Sequence, residues 1–437
     1  MRYFYKLLYK YYNFYIQNDQ NIIEINPQND FLQEHFQNNY TAVNSIYDFE
    51  KINKRANTVV GGPNSSYDYV ILNGNLQYER DIQEFLESLH EVVTTKTRII
   101  ISYYSTLWKP IFILVTKLKI RKKTPEQNWI SHEDINNLLL LAGFELIRRD
   151  SRVLFPIYIP FLSGFINRFI APLPFFRLFT MINIVLARPL YKNAFAQEPS
   201  VSIIIPARNE AGNIEKAINR IPKMGEHDEI IFVEGNSTDN TWGVIQQAKE
   251  KYGDKINIKI SQQSGRGKGD AVRKGFSLAQ NEIFMILDAD LTVPPEELPK
   301  FYKAITSNKG EFINGSRLIY PIENDAMRFF NILGNKFFAV AFSFILGQKF
   351  KDTLCGTKVL SRINYIKLVA TRAYFGDFDP FGDFDLLFGA SRMGLKIIEI
   401  PITYKERTYG KTNISRWKHG FILLRMLLFA TSKIKFI

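Results

Sequence analysis

From Val201 onward the chain repeats one pattern: a short apolar run, a polar loop, then a stretch with helical spacing. The runs fall at Val201–Ile205, Glu229–Val233, Ile256–Ile260, Ile283–Leu287 and Phe312–Asn314. Helical patterns lie near Asn213–Arg220, Thr241–Tyr252, Lys268–Ala279 and Glu296–Thr306. Runs this short and this uniformly apolar suit strands buried on both faces. Their alternation with helices predicts an α/β unit with a mainly parallel sheet covered on both sides. In such sheets ligands bind beyond the carboxyl ends of the strands. Four polar motifs fall there: Pro206-Ala207-Arg208-Asn209-Glu210, Glu234-Gly235-Asn236-Ser237-Thr238-Asp239, Gly265-Arg266-Gly267-Lys268-Gly269-Asp270 and Asp288-Ala289-Asp290. Turn chemistry alone does not account for four such loops on one edge.

The fourth motif is the most specific. The buried run Ile283–Leu287 ends in two carboxylates one residue apart. If the chain stays extended there, residues i and i+2 point to the same side, so Asp288 and Asp290 converge. Two hard oxygen ligands suit Mg²⁺ or Mn²⁺, which one or two carboxylates hold together with substrate phosphates. This suggests an enzyme that handles a diphosphate. The competing reading is a cap for the helix announced by Pro294, Pro295, Glu296 and Glu297.

In order along the chain, the Pro-Ala-Arg-Asn-Glu box, the Asp-Ala-Asp triplet and the distal Arg407-Thr408-Tyr409-Gly410-Lys411-Thr412 segment resemble a glycosyltransferase of family 2 with the GT-A fold, close to dolichyl- or polyprenyl-phosphate sugar synthases. The resemblance runs from about Ser200 to Ile437. It implies that Pro206, Ala207, Arg208, Asn209, Glu210, Glu234 and Asp239 line a nucleotide pocket. It also implies that Asp288 and Asp290, flanking Ala289, hold the metal on the donor's diphosphate. In one respect the sequence departs from the family: the second loop often carries two acids, and here Glu234 is followed by Gly235.

The chemistry of the remaining residues agrees. A nucleotide-sugar donor leaves as a diphosphate, whose departing charge a bound metal helps to neutralise. Gly265, Gly267 and Gly269 permit close backbone approach and Lys268 adds a point charge, although a flexible turn would read the same. Arg317, Arg407 and Lys411 are candidate phosphate ligands, the two arginines as bidentate clamps. Phe375–Asp385 holds four carboxylates. The family places an acid near this point, and Asp383 and Asp385 are the nearest matches for catalytic or substrate contact. Capping by Asp383 ahead of Leu386 is the alternative. An acceptor that is already an ionised phosphate needs little deprotonation, so these acids would then position rather than act as a base.

The chain divides near Pro189–Ser200, giving domains over 1–190 and 191–437. In the first half, Tyr67–Leu72 and Thr97–Ser102 with the helix Asp81–Val92 between them resemble the centre of a class I methyltransferase fold. So do a helix opening at Trp129–Asp134, the segment Gly143–Leu146 and a closing strand at Ile182–Leu186. That family needs a glycine-rich turn after its first strand to approach S-adenosylmethionine. Here Ile22–Asp30 has no glycine, Pro27 removes an N–H, and Asn44 stands where an acid is expected. A Rossmann-like domain that does not bind S-adenosylmethionine is expected.

The net charge of +13 calls for an anionic partner, and no nucleic-acid motif accompanies it. The cations cluster at Lys117–Lys123, Arg148–Arg152 and Lys433–Lys435. The single cysteine, Cys355, excludes an intrachain disulfide, and the five histidines have no metal-ligand spacing. Residues 1–16 do not read as a signal peptide. No segment reaches the roughly 18–20 apolar residues of a membrane span. Val153–Asn167, Phe337–Gly347 and Gly420–Thr431 are apolar stretches flanked by cations, as in elements lying on an anionic membrane surface. The segment Arg416–Ile437 has the pattern of an interfacial helix. The chain is therefore expected at the cytoplasmic face, peripherally membrane-bound. Three function classes follow: a metal-dependent glycosyltransferase using a lipid-phosphate acceptor, a bifunctional enzyme that also methylates, and a non-catalytic scaffold.

Overall fold

The computed structural model describes residues 2–17, 19–36, 39–45, 67–125, 127–191, 193–195, 197–321, 329–374, 384–410 and 416–437, without the side chains of residues 2, 329–331 and 416–419. Asp383 and Lys411 lie outside the described residues. Contacts gather the chain into two units, Met1–Tyr191 with Ile434–Ile437, and Lys192–Lys433.

The first unit is built on six strands: β1 Ile22–Ile25, β2 Tyr40–Val43, β3 Tyr69–Asn73, β4 Arg98–Tyr104, β5 Phe144–Arg152 and β6 Ile182–Pro189. Their order is β2-β1-β3-β4-β6-β5. The first four are parallel, and β6 runs antiparallel between β4 and β5. The helix His132–Leu141 starts at a capping box, with the Ser131 hydroxyl accepting from the Asp134 N–H and the Asp134 carboxylate from the Ser131 N–H. The helix Arg2–Tyr15, unforeseen in the sequence, buries Leu8, Tyr11, Tyr12, Phe14 and Tyr15. Its Tyr12 hydroxyl donates to Asn73 Oδ1 at 3.1 Å, and Ser102 Oγ donates to the same oxygen at 3.1 Å. Polar protein groups thus fill the ends of β3 and the neighbouring β4.

The turn after β1 is closed in the same way. Asn26 has φ of 51°, its N–H donates to Val43 O at 2.6 Å, and Asn75 Nδ2 donates to Ile25 O at 2.6 Å. Glu24 is buried on β1 and accepts from the Tyr40 hydroxyl. Burial pushes its carboxyl up to about 8, against a hydrogen bond from Asn73. A carboxyl whose folded pKa is raised binds its proton more tightly folded than unfolded. Its stabilising protonation is complete below about 4.5 and lost as pH rises to about 8. The contribution of Glu24 to the stability of the first unit should therefore fall between those values. Urea titrations of Glu24→Gln, which cannot ionise, should differ from the parent by the absence of that fall; a pH dependence identical to the parent's would refute the assignment.

The basic group Arg148–Arg152 does not form a surface patch. Arg148, Arg152 and Lys435 are buried around Asp150. Asp150 accepts from Arg148 Nε at 2.8 Å, Lys435 Nζ at 2.9 Å and the Tyr15 hydroxyl at 3.0 Å. Arg152 donates to Lys435 O at 2.8 Å. The expectation that these cations face an anionic surface is corrected for Arg148, Arg152 and Lys435: a buried charge must be paired, and one carboxylate holds three of them.

The second unit carries seven strands: β7 Val201–Ala207, β8 Glu229–Glu234, β9 Asn257–Gln262, β10 Ile283–Ile286, β11 Phe312–Ser316, β12 Lys358–Ser361 and β13 Ile397–Pro401. Their order is β13-β11-β12-β10-β7-β8-β9. β10, β7, β8 and β9 are parallel; β12 is antiparallel to both β10 and β11. β11 and β13 are also parallel, so the second sheet is mainly parallel as expected, with β12 its one antiparallel strand. The sheet's inner residues and the flanking helices form one core, including Ile203, Ile205, Phe232, Met285, Leu287 and Phe301. The helix Lys268–Leu278 approaches closely at Gly275, where a Cβ would lie 2.4 Å from Ile204 Cγ2. Among the described residues no helix is long and apolar enough to cross a membrane.

Candidate active site

The four polar loops follow β7, β8, β9 and β10, and side chains lace them together. After β7, Asn209 takes φ of 58°. Its N–H donates to Ser237 Oγ at 3.0 Å, and its Oδ1 accepts from the Thr238 N–H at 2.7 Å. Pro206 and Ala207 end the strand itself, and Gly235 N–H donates to Ala207 O at 2.8 Å. Arg208 is exposed, with its Cβ against Gly235. The first and second loops therefore form one surface.

Glu234, buried at the end of β8, accepts from the Ser237 N–H and from Gln262 Nε2 at 3.0 Å. Burial raises its carboxyl, and these bonds more than offset that, leaving it below the usual range. Asp239 behaves alike: burial raises it, while Thr241 and the N–H of Ala211 lower it further. The Tyr409 hydroxyl donates to Asp239 Oδ2 at 3.3 Å. The Tyr409 ring lies against Gly212, where a Cβ would fall 2.5 Å from it. In the third loop Gly267 has φ of 86° at the start of the helix Lys268–Leu278, and the Gly265 N–H donates to Asp270 Oδ2 at 2.8 Å.

The Asp-Ala-Asp triplet sits past β10 with each carboxylate facing a different cation. Asp288 pairs with Lys268 Nζ at 2.7 Å. Burial raises the Asp288 carboxyl, but Lys268, then Lys358 and Arg317, hold it below the usual range. Asp290 accepts from Thr292 Oγ1 at 2.8 Å and from Arg407 at 2.6 Å. The other arm of Arg407 donates to Glu210 Oε1 at 2.6 Å. One guanidinium from the distal segment thus ties the first loop to the fourth. Ala289 is buried between them.

Arg317 is committed elsewhere. Its Nε and one terminal nitrogen bind both oxygens of the buried Asp352, at 2.6 and 2.8 Å, and its guanidinium stacks on Tyr404 at 5.1 Å. It acts on Asp288 through its field, and the bidentate clamp expected of it goes to protein. Asp385 is buried on the helix Phe384–Arg392, 3.5 Å from Arg372. With Tyr365, Arg273 and Leu368 it lines a small pocket.

The segment Asp352–Lys358 escaped the sequence reading. Gly356 lies so close to the ion pair that a Cβ would fall 2.0 Å from Asp288 Oδ2 and 2.4 Å from Lys268 Nζ. Lys358 is fully buried and donates to Cys355 O. Burial pushes the Cys355 thiol up to about 11, which keeps it inert at neutral pH. The only signal was a polar, glycine-bearing run between two apolar ones.

Among the described residues no group of three or more His, Cys, Asp or Glu could hold a metal by itself. Two carboxylates at one strand end still fit Mg²⁺ or Mn²⁺, provided substrate phosphates complete the shell.

The family described as glycosyl transferase family 2 matches residues 202–367. The dolichyl-phosphate β-glucosyltransferase of Saccharomyces cerevisiae is 30% identical over 236 residues, 48% of this chain and 68% of that protein. The chain belongs to glycosyl transferase family 2. A dolichol-phosphate mannosyltransferase of Pyrococcus furiosus is 30% identical over 220 residues, so that 49% of this chain spans 59% of that relative. Among solved structures, glucosyl-3-phosphoglycerate synthase of Mycobacterium tuberculosis is similar at a TM-score of 0.41 and 18% identity, over 54% of this chain and 80% of that one. The family match lies wholly within the second unit, and it takes in the loops that carry Arg208 to Glu210, Glu234, Lys268, Asp288 and Asp290. Arg407 and Tyr409 lie beyond it.

Proposed function

We propose that the second unit moves a sugar from a nucleotide-sugar donor to a polyprenyl or dolichyl phosphate. The observation that carries this reading is Arg407, whose two arms hold Glu210 and Asp290 and so fix the nucleotide side of the site against the diphosphate side. Six of the relatives are named for dolichol, dolichyl or undecaprenyl phosphate. In this reading Asn209, Glu234 and Asp239 shape the nucleotide pocket, and Lys268 neutralises phosphate charge as the bond to the sugar breaks. Mg²⁺ or Mn²⁺ would be held by Asp288 and Asp290, and when bound it supplies Lewis-acid stabilisation of the leaving diphosphate. Such an acceptor resides in a bilayer, so the enzyme works at an anionic membrane surface. The first unit is read as a methyltransferase-like domain without S-adenosylmethionine, supported by the glycine-free, hydrogen-bonded turn after β1. The test is release of nucleoside diphosphate from a panel of nucleotide sugars, with a short-chain prenyl phosphate and Mg²⁺ or Mn²⁺. Asp290→Asn should lower turnover by about 10²-fold or more while the fold survives. Full turnover in excess chelator would reject the metal, and no release with any donor would reject the reaction.

A further inference from the structure

Two segments of the first unit expose large apolar side chains side by side. The first is Thr106–Ile120, containing the helix Lys109–Lys117, with Leu114 56%, Leu118 59% and Ile120 76% exposed. The second is Ile157–Phe179, with Phe161 97% and Phe175 65% exposed. Trp108 Nε1 donates to Phe179 O at 2.8 Å and joins them.

The second segment is built to present Phe161. That residue has φ of 62° and ψ of −47°, and the Leu162 N–H donates to Pro160 O at 2.7 Å across it. This is a γ-turn of the rare, strained hand, which persists only where surrounding contacts impose it. They do so here. The buried Ser163 hydroxyl donates to Ile157 O and accepts from the Ile159 N–H, and the buried Asn167 accepts from the Phe155 N–H while donating to Phe155 O. A rigid, buried polar base thus holds a strained tip whose aromatic ring faces outward.

The charge around this surface has one sign. Neither residues 105–125 nor residues 151–181 contain an Asp or Glu, and the first stretch has six Lys or Arg. Lys117, Lys119, Lys122 and Lys123 are exposed beside Leu118 and Ile120. An apolar patch whose two segments carry cations and no acid complements a surface that is apolar beneath and anionic on top.

We propose that this face of the first unit docks on an anionic lipid bilayer, with Phe161 inserting below the headgroups and the Lys117–Lys123 cluster pairing with them. The inference rests on the membrane part of the proposed function and assigns the docking to the first unit. It is tested with full-length protein and vesicles of phosphatidylcholine with or without phosphatidylglycerol, by co-sedimentation. The protein should partition onto the anionic vesicles, and salt should weaken the binding. Phe161→Gly removes the ring and relieves the strained φ, so it should unfold no earlier than the parent yet bind roughly tenfold more weakly. Neutralising Lys122 and Lys123 to glutamine should cost about fivefold each. If the parent protein ignores anionic vesicles, or if both variants bind as the parent does, the proposal is wrong. It is equally wrong if Phe161→Gly changes the oligomeric state and leaves vesicle binding intact, since a second copy then covers the patch. Failure of the parent protein to transfer sugar to a soluble prenyl phosphate, with vesicle binding behaving as expected, would sink the transferase reading and leave the docking face standing.

Discussion

Arg407→Leu is expected to reduce sugar transfer by about 10²–10³-fold, the loss typical of removing one preorganised charged donor from an active site. The reason is geometric. Glu210 and Asp290 each lie 2.6 Å from this guanidinium. Without it two carboxylates face each other across the first and fourth loops. Burial already raises the Glu210 carboxyl, with Arg407 the largest opposing influence. In the variant Glu210 should bind a proton still more readily. Its folded pKa then lies further above the unfolded one, so the extra stability from protonation is present at low pH and lost as pH rises. The stability gap between variant and parent should accordingly narrow on acidification. Arg407→Lys keeps one charge but cannot fork to both acids, and should fall between. A Leu variant with unaltered kcat/KM would remove Arg407 from the site.

Asp150→Leu should unfold the first unit. It deprives Arg148, Arg152 and Lys435 of their common partner while leaving them buried. Breaking such a cluster from one side typically costs about 3–5 kcal/mol, a large share of the 5–15 kcal/mol by which domains are stable. Lys435→Met is the informative contrast. Burial first, with Arg152 and Arg148 adding to it against Asp150, pushes the Lys435 amine down to about 8. The unfolded chain therefore binds this proton more tightly than the folded one between about 8 and 10.5, and stability rises with pH across that window. Urea unfolding of the full chain from pH 7.5 to 9.5 should show this rise in the parent and lose it in Lys435→Met. A destabilised Lys435→Met with the rise intact would contradict the assignment.

Much of the second unit was legible because its strands are short apolar runs that alternate with helical patterns and end in polar loops. β7, β8, β9, β10 and β11 carry that signature. β12 does not: it is four residues long and opens on Lys358, a charge that argues for a loop until its burial is seen. β13 carries Glu399 and ends on Pro401, both poor strand signals. Arg317 followed a strand end, which is where a phosphate clamp would stand, and Asp352, thirty-five residues on, could not be paired with it from spacing. Asp288 and Asp290 stood out as two carboxylates one residue apart, but the chain turns at Ala289–Asp290 instead of staying extended, and their partners Lys268 and Arg407 are distant in sequence. In the first unit the helix Arg2–Tyr15 was hidden because tyrosine both packs and faces water, so its stripe shows no clean apolar period.

The membership of Ile434–Ile437 in the first unit reverses the usual order of assembly on the ribosome. Domains generally form as they emerge, the earlier one first. Here β1 to β6 are synthesised long before Lys435, the residue that completes the charge cluster around Asp150. Until some two hundred and forty further residues have been made, Arg148 and Asp150 lack that partner. The transferase unit, whose residues all precede Ile434, can close first. Released chains ending at residue 433 should therefore show a protease-resistant second unit beside a first unit that is cut more readily than in the full chain.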